Sequence, residues 1–162
     1  MDRPIYESMG RGYSRHRTAD ERIVGELARL LGSPDARAIV DVGAGTGSYT
    51  VALARLGYRV IAVEPSATMR SQAEDMPGVR WVTGTAERLP LPAGCADGAV
   101  CVLALHHFGD AEMALHEMRR VAADGPVVIF TFDPRAGETF WFADYSPASG
   151  ERRTRRSHRS TR

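Results

Sequence analysis

The stretch Ala38-Ile-Val-Asp41-Val-Gly43-Ala-Gly45-Thr-Gly47-Ser-Tyr-Thr-Val-Ala-Leu-Ala-Arg-Leu56 decides the fold. Its first five residues, AIVDV, form a short apolar run that reads as a buried strand. Gly43 to Gly47 follow as a tight turn, since glycine lets the backbone bend sharply and lets a ligand lie against it. Ser48–Leu56 then reads as a helix whose Val51, Leu53, Ala54 and Leu56 supply apolar surface, and Gly57 is placed to close it. A strand, a glycine turn and a helix in succession mark the place where open α/β sheets bind ligands. The spacing is GxGxG, and Ser48 stands where a dinucleotide fingerprint wants Gly or Ala. Asp41, at the end of the strand, suits a ligand with a cationic amine and would repel a pyrophosphate.

The same alternation runs outward in both directions. Upstream, Thr18 and Glu21 have capping-box spacing. Ile23, Val24, Leu27, Leu30 and Leu31 then recur at helical intervals until Gly32 and Pro34 end the helix. Downstream, Arg59–Val63 is a second strand, and Ser66 caps a helix predicted to run to about Asp75. Val79–Val82 is a third strand. Residues 84–96 are loop-like, with Pro90, Pro92 and Gly94. Asp97–Leu105 reads as a long fourth strand, Asp110 caps a helix through Ala122, and Pro126–Phe132 is the fifth strand. Strands that are continuous apolar runs, alternating with helices, predict a parallel sheet covered on both faces. Right-handed crossovers make it doubly wound.

Glu64 ends the second strand, 17 residues after Gly47. A carboxylate there can accept two hydrogen bonds from ribose hydroxyls. His106 and His107 end the predicted fourth strand. Because neighbours on a strand face opposite sides, at most one of them is expected to reach a site at that end. No metal is expected, since no third ligand accompanies the pair.

The chain has 162 residues, 43% of them hydrophobic and 25% charged, which suits a single domain with a sizeable core. Every basic residue other than histidine is Arg. Residues 1–150 hold 15 Arg against 19 acids, while residues 151–162 hold six Arg and one Glu. The last stretch, residues 147–162, has no Val, Ile, Leu, Met or aromatic residue and is expected to be disordered. Without aromatic side chains among its arginines, it is not expected to hold nucleic acid. Cys95 and Cys101 match no zinc or redox spacing and are expected to be buried thiols. No apolar run is long enough for a membrane helix and the N-terminus has no signal-peptide core, so a cytoplasmic protein is expected.

Taken in order, five segments resemble class I S-adenosylmethionine-dependent methyltransferases, especially the small bacterial type: VDVGAGTGSYT, AVEPSATM, GTAERLPLP, DGAVCVLALHHF and MRRVAADGPVVIFTFDP. The match runs from about Tyr13 to Pro134. It implies a Rossmann-like α/β sheet of strand order 3-2-1-4-5 in a domain spanning 1–147, with an N-terminal cap (1–33) and the Arg-rich tail from 148. It also implies S-adenosyl-L-methionine as cofactor. Gly43, Ala44, Gly45 and Gly47 would lie against its methionine part, and Asp41 would hold the ammonium. Glu64 would take the ribose. Pro65, Ser66 and Met69 would pack at the adenine edge, and the Ala86 amide, with Thr85 and Glu87 beside it, would bind the adenine. The family usually has Asp where Thr85 stands. Leu103 and Ala104 would close the methionine side. Tyr13 and Arg17 belong to an N-terminal segment that folds over the cofactor in this branch.

The resemblance further implies methyl transfer to a small-molecule acceptor, with His106 or His107 as the base where the acceptor must lose a proton. The family's sixth and seventh strands have no counterpart in this sequence. The exposed edge of strand five would then invite a homodimer. Turnover by the chain alone is expected to be impaired, or rescued by that pairing. The alternatives are a cofactor-binding domain without turnover and an NAD-dependent oxidoreductase.

Overall fold

The structure, a computed structural model, describes residues 18–35, 37–122 and 124–132. Four helices and five strands occur among them: α1 (Glu21–Leu31), β1 (Ala38–Val42), α2 (Ser48–Arg55), β2 (Arg59–Val63), α3 (Ala67–Arg70), β3 (Val79–Val82), β4 (Gly98–Val102), α4 (Ala111–Ala122) and β5 (Val127–Phe130). The strands form one parallel sheet of order β3-β2-β1-β4-β5, as the resemblance implies. The order reverses between β1 and its neighbours β2 and β4, which opens a crevice at the carboxyl end of β1.

The sheet has two apolar faces because successive strand residues point to opposite sides. On one face Ile39, Val60, Val100 and Val102 pack with Leu27 and Leu31 of α1 and Leu53 of α2. On the other, Val40, Val42, Val63 and Cys101 pack with Met118 and Val121 of α4 and with Leu89 and Leu91 from the segment that follows β3. Burying each such side chain contributes about 1.5–3 kcal/mol. Central β4 is buried along its whole length, whereas the outer strands β3 and β5 are only partly covered. Among the described residues β5 forms one edge, with Phe130 exposed.

Local chemistry moves several element ends from where the sequence reading puts them. Helix α1 is capped by Asp20, whose carboxylate accepts from the Arg22 amide at 2.9 Å; the Thr18 capping box is not what starts it. Gly32 ends α1 as expected, and the buried Tyr58 hydroxyl donates to the Gly32 carbonyl. Ser66 caps α3, accepting from the Met69 amide at 3.2 Å, but the helix stops at Arg70, well short of Asp75. There the Ser71 hydroxyl and the Gln72 side-chain Nε2 both donate to the Thr68 carbonyl, at 2.9 and 3.0 Å, and no apolar stripe continues past Met69 to hold more turns.

Strand β4 ends at Val102, three residues early. Leu103 takes a left-handed conformation (φ 54°), and its amide donates to the Phe130 carbonyl at 2.7 Å. The chain then forms a short 3₁₀ turn, Leu105–His107. Cys101 is buried as expected, while Cys95 is only half-buried. The Arg-rich tail, the boundary at 147, Tyr13, Arg17 and the chain after β5, where no sixth or seventh strand is expected, lie outside the described residues.

Candidate active site

The carboxyl ends of β1, β2 and β4 meet at the glycine turn. Gly43, Gly45 and Gly47 all have positive φ (75°, 59° and 85°), where any side chain is strained. Space is also short. A Cβ on Gly43 would stand 2.7 Å from the Ala104 methyl and 3.2 Å from the Phe108 ring, and one on Gly47 would stand 2.8 Å from Trp81. The turn is tied to β2 by two amides, Gly43 and Ala44, that donate to the Val63 carbonyl at 2.9 and 3.1 Å.

Glu64 completes that tie. One carboxylate oxygen accepts from the Gly45 amide at 2.9 Å and the other from the Ser66 amide at 2.9 Å. The side chain is nearly buried, yet an ionised carboxylate has about four acceptor positions, so two are left over. Asp41 sits deeper, 2% exposed, with the Thr50 hydroxyl donating to it at 2.6 Å. Burial pushes its carboxyl up to about 6; the Thr50 bond opposes this, and the charge of Glu64 adds to it. Asp41 and Glu64 are thus two nearly buried acids at one turn. Their side chains are held by a hydroxyl and by amides, with no ion pair to a cation among the described residues. A ligand bearing an ammonium group and ribose hydroxyls matches those acceptors, since the ammonium would offset the buried charge and the hydroxyls would use the free acceptor positions.

Pro65 is exposed and Met69 is buried beside the turn, its methyl 3.5 Å from where a Cβ on Gly45 would be. After β3 the chain makes a small loop bridged between Thr85 and Arg88, with Ala86 buried. The Glu87 carboxylate reaches away from this loop, accepting from the Gly109 amide at 2.8 Å and more weakly from Asp110 at 3.4 Å.

Leu103 and Ala104 border the turn from β4; the left-handed backbone at Leu103 is the only such non-glycine residue among the described ones, and strain of this kind clusters at functional positions. His106 and His107 lie on the 3₁₀ turn, not on a strand, so strand alternation does not separate them. Their rings are 3.6 Å apart between centroids, tilted by 52°. Both residues are exposed. The share of each ring taken out of water lowers its pKa, and repulsion from His106 helps bring His107 down to about 4. Both are therefore largely neutral at pH 7, and His107, brought down to about 4, is the weaker base of the two.

The structure thus brings Asp41, Gly43, Ala44, Gly45, Gly47, Glu64, Met69, Leu103 and Ala104 around one turn. Three residues at this turn escape the sequence reading. Thr50 is a lone hydroxyl on the apolar face of α2, and that is its only sequence signal. Phe108 and Trp81 wall the glycines, and nothing in their spacing marks them.

Comparison with known proteins gives the arrangement a context. A family model described as a methyltransferase domain matches residues 40–130. The chain is 32% identical over 114 residues to the uncharacterized methyltransferase YcgJ of Bacillus subtilis, covering 63% of this chain and 45% of YcgJ. It is also 32% identical to the ubiquinone/menaquinone biosynthesis C-methyltransferase UbiE of Rubrivivax gelatinosus, over 68% of this chain and 43% of UbiE. Among solved structures, a candidate methyltransferase from an antibiotic biosynthesis pathway of Anabaena variabilis superposes with a TM-score of 0.75 at 48% identity. That match covers 82% of this chain and 53% of the Anabaena protein. The chain spans about half the length of these relatives.

Proposed function

This chain belongs to the class I S-adenosylmethionine-dependent methyltransferase family, and from that premise we propose that it binds S-adenosylmethionine at the glycine turn and serves methyl transfer to a small-molecule acceptor. The observation that carries this reading is the pair of nearly buried acids, Asp41 and Glu64, built into the turn with acceptor capacity to spare. The bound cofactor supplies a methyl group on a sulfonium, which is displaced in line and needs no acid for its leaving group.

The residues do the rest. Asp41 holds the ammonium, and Glu64 accepts from the ribose while keeping the Gly45 amide in place. The Ala86 amide and the Thr85 hydroxyl face the adenine, and Pro65 and Met69 pack at its edge. Leu103 and Ala104 close the methionine side and keep water from it. Tyr13 and Arg17 are assigned to a cover over the cofactor. His106 takes a proton where the acceptor must lose one, in preference to His107, whose pKa near 4 makes it a weak base. A small acceptor is supported by the antibiotic-pathway description of the Anabaena relative. A homodimer through the outer edge of β5 is the reading its exposed Phe130 supports, and sedimentation of a stable monomer would remove it. Family membership sets aside the nicotinamide-dependent alternative.

Calorimetry with S-adenosylhomocysteine tests the proposal. Binding is expected, with NAD unable to compete. Glu64→Ala should weaken it by roughly 30- to 100-fold, the loss of charge-assisted bonds to hydroxyls. A folded chain that does not bind, or that NAD displaces, contradicts the reading.

A further inference from the structure

Two loops that are far apart in sequence are joined by one side chain. Glu87, in the loop after β3, accepts from the Gly109 and Asp110 amides, in the turn after β4, across 22 and 23 residues. The loop is also held from behind. Leu89 donates its amide to Glu117 of α4 at 2.8 Å, and Arg120 of α4 donates to the Leu89 and Leu91 carbonyls at 3.1 and 2.8 Å. Asp110 in turn begins α4, accepting from the Met113 amide at 2.9 Å. The loop after β3, α4 and the turn after β4 therefore form a closed ring, and Glu87 is the link that closes it. On the far side of the ring, the Phe108 side chain lies against Gly43.

We infer that Glu87 is a positioning residue: it fixes the turn bearing His106, His107 and Phe108 to the wall formed by Thr85 and Ala86, so that occupancy of that wall is felt at the turn. The link itself is independent of ligand, and its response to occupancy rests on the proposed cofactor site. The amide bonds outweigh the partial burial of the carboxyl and keep it below its ordinary range, so the link is charge-assisted at neutral pH. A residue whose oxygen is committed to Gly109 and Asp110 is better placed to orient the acceptor side than to touch the adenine.

Amide hydrogen exchange on the full chain, followed by NMR with and without S-adenosylhomocysteine, tests this. In the ligand-free protein, Glu87→Met keeps the volume and removes the acceptor. Gly109 exchange should quicken about tenfold or more, the equivalent of one charge-assisted bond. Glu87→Gln retains an amide oxygen and should restore exchange to within about threefold of wild type. In the wild type, saturating ligand should slow exchange at Gly109. At ligand concentrations that saturate Glu87→Met, that slowing should vanish. Unchanged Gly109 exchange in a folded Glu87→Met protein would overturn the inference. So would ligand binding in the wild type without any response at Gly109. Failure of the wild type to bind the ligand at all would instead count against the cofactor reading, and the ligand-free comparison would still decide whether the link exists.

Discussion

The acids and the histidines sit at the same end of the sheet, and they are built in opposite ways. Asp41 and Glu64 are nearly buried, and each is pinned by hydrogen bonds to the turn or to α2. His106 and His107 are exposed on a short turn that follows a strained residue. Their neighbours differ too. The acids stand between two central strands whose neighbours are fixed by the sheet, while the histidines leave β4 where the sheet ends. On the proposed reading, the cofactor half of the site is assembled by the fold itself. On the same reading, the described residues only begin the acceptor half, and Glu87 ties its turn to the loop after β3.

The comparison breaks most visibly at the turn. Gly43→Val would place a β-branched side chain at φ 75° and drive it into the Ala104 methyl and the Phe108 ring. The strain and overpacking together should cost about 3 kcal/mol. Thermal melting should show this loss, and S-adenosylhomocysteine binding should disappear with it. A stable variant with intact binding would show that the turn is not shaped for a ligand.

Asp41 sharpens the comparison through pH. Its carboxyl is raised to about 6 in the folded chain, above its unfolded value of 3.8. The folded state therefore holds the proton more tightly, and the stability this gives is fully present below pH 4. It is lost as pH rises from about 4 to about 6, on the order of a few kcal/mol, as the buried group ionises. Asp41→Asn should flatten that slope in denaturant titrations across this range. Ligand affinity should move the other way. It should rise as pH passes upward through 6 and Asp41 becomes able to hold an ammonium, and the Asn variant should show no such rise. Affinity that is constant from pH 5 to 7 in the wild type would detach Asp41 from the ligand.

The histidines should give the smallest effect. His107→Asn and His106→Asn should each alter S-adenosylhomocysteine affinity by less than about twofold, since both rings are largely neutral at pH 7 and carry no charge to the ligand. A large loss in calorimetry would move them from the acceptor side into the cofactor site.

Most of the sheet is legible in the sequence because buried parallel strands are continuous apolar runs, and AIVDV, RVIAV and GAVCV stand out between polar turns. The glycine turn and Glu64 are equally legible, since their chemistry depends on residue type and on position next to a strand. Other features depend on close approach. Thr50 meets Asp41 only because the turn folds α2 back over β1, and nine residues of spacing say nothing of that. Glu87 meets Gly109 only once α4 is docked. Leu103 shows the remaining limit: a leucine carries no signal for a left-handed backbone, so the strand reading ran on through it and put the two histidines on opposite faces.

The most direct measurement is an NMR titration of the backbone amides with S-adenosylhomocysteine. Shifts should be confined to Gly43–Gly47, Glu64–Met69, Thr85–Glu87 and Leu103–Asp110, with the amino end of the sheet around Gly32 and Tyr58 silent. Saturation without shifts at Gly43, Gly45 and Glu64, or shifts centred on the amino end, would contradict the proposed cofactor site.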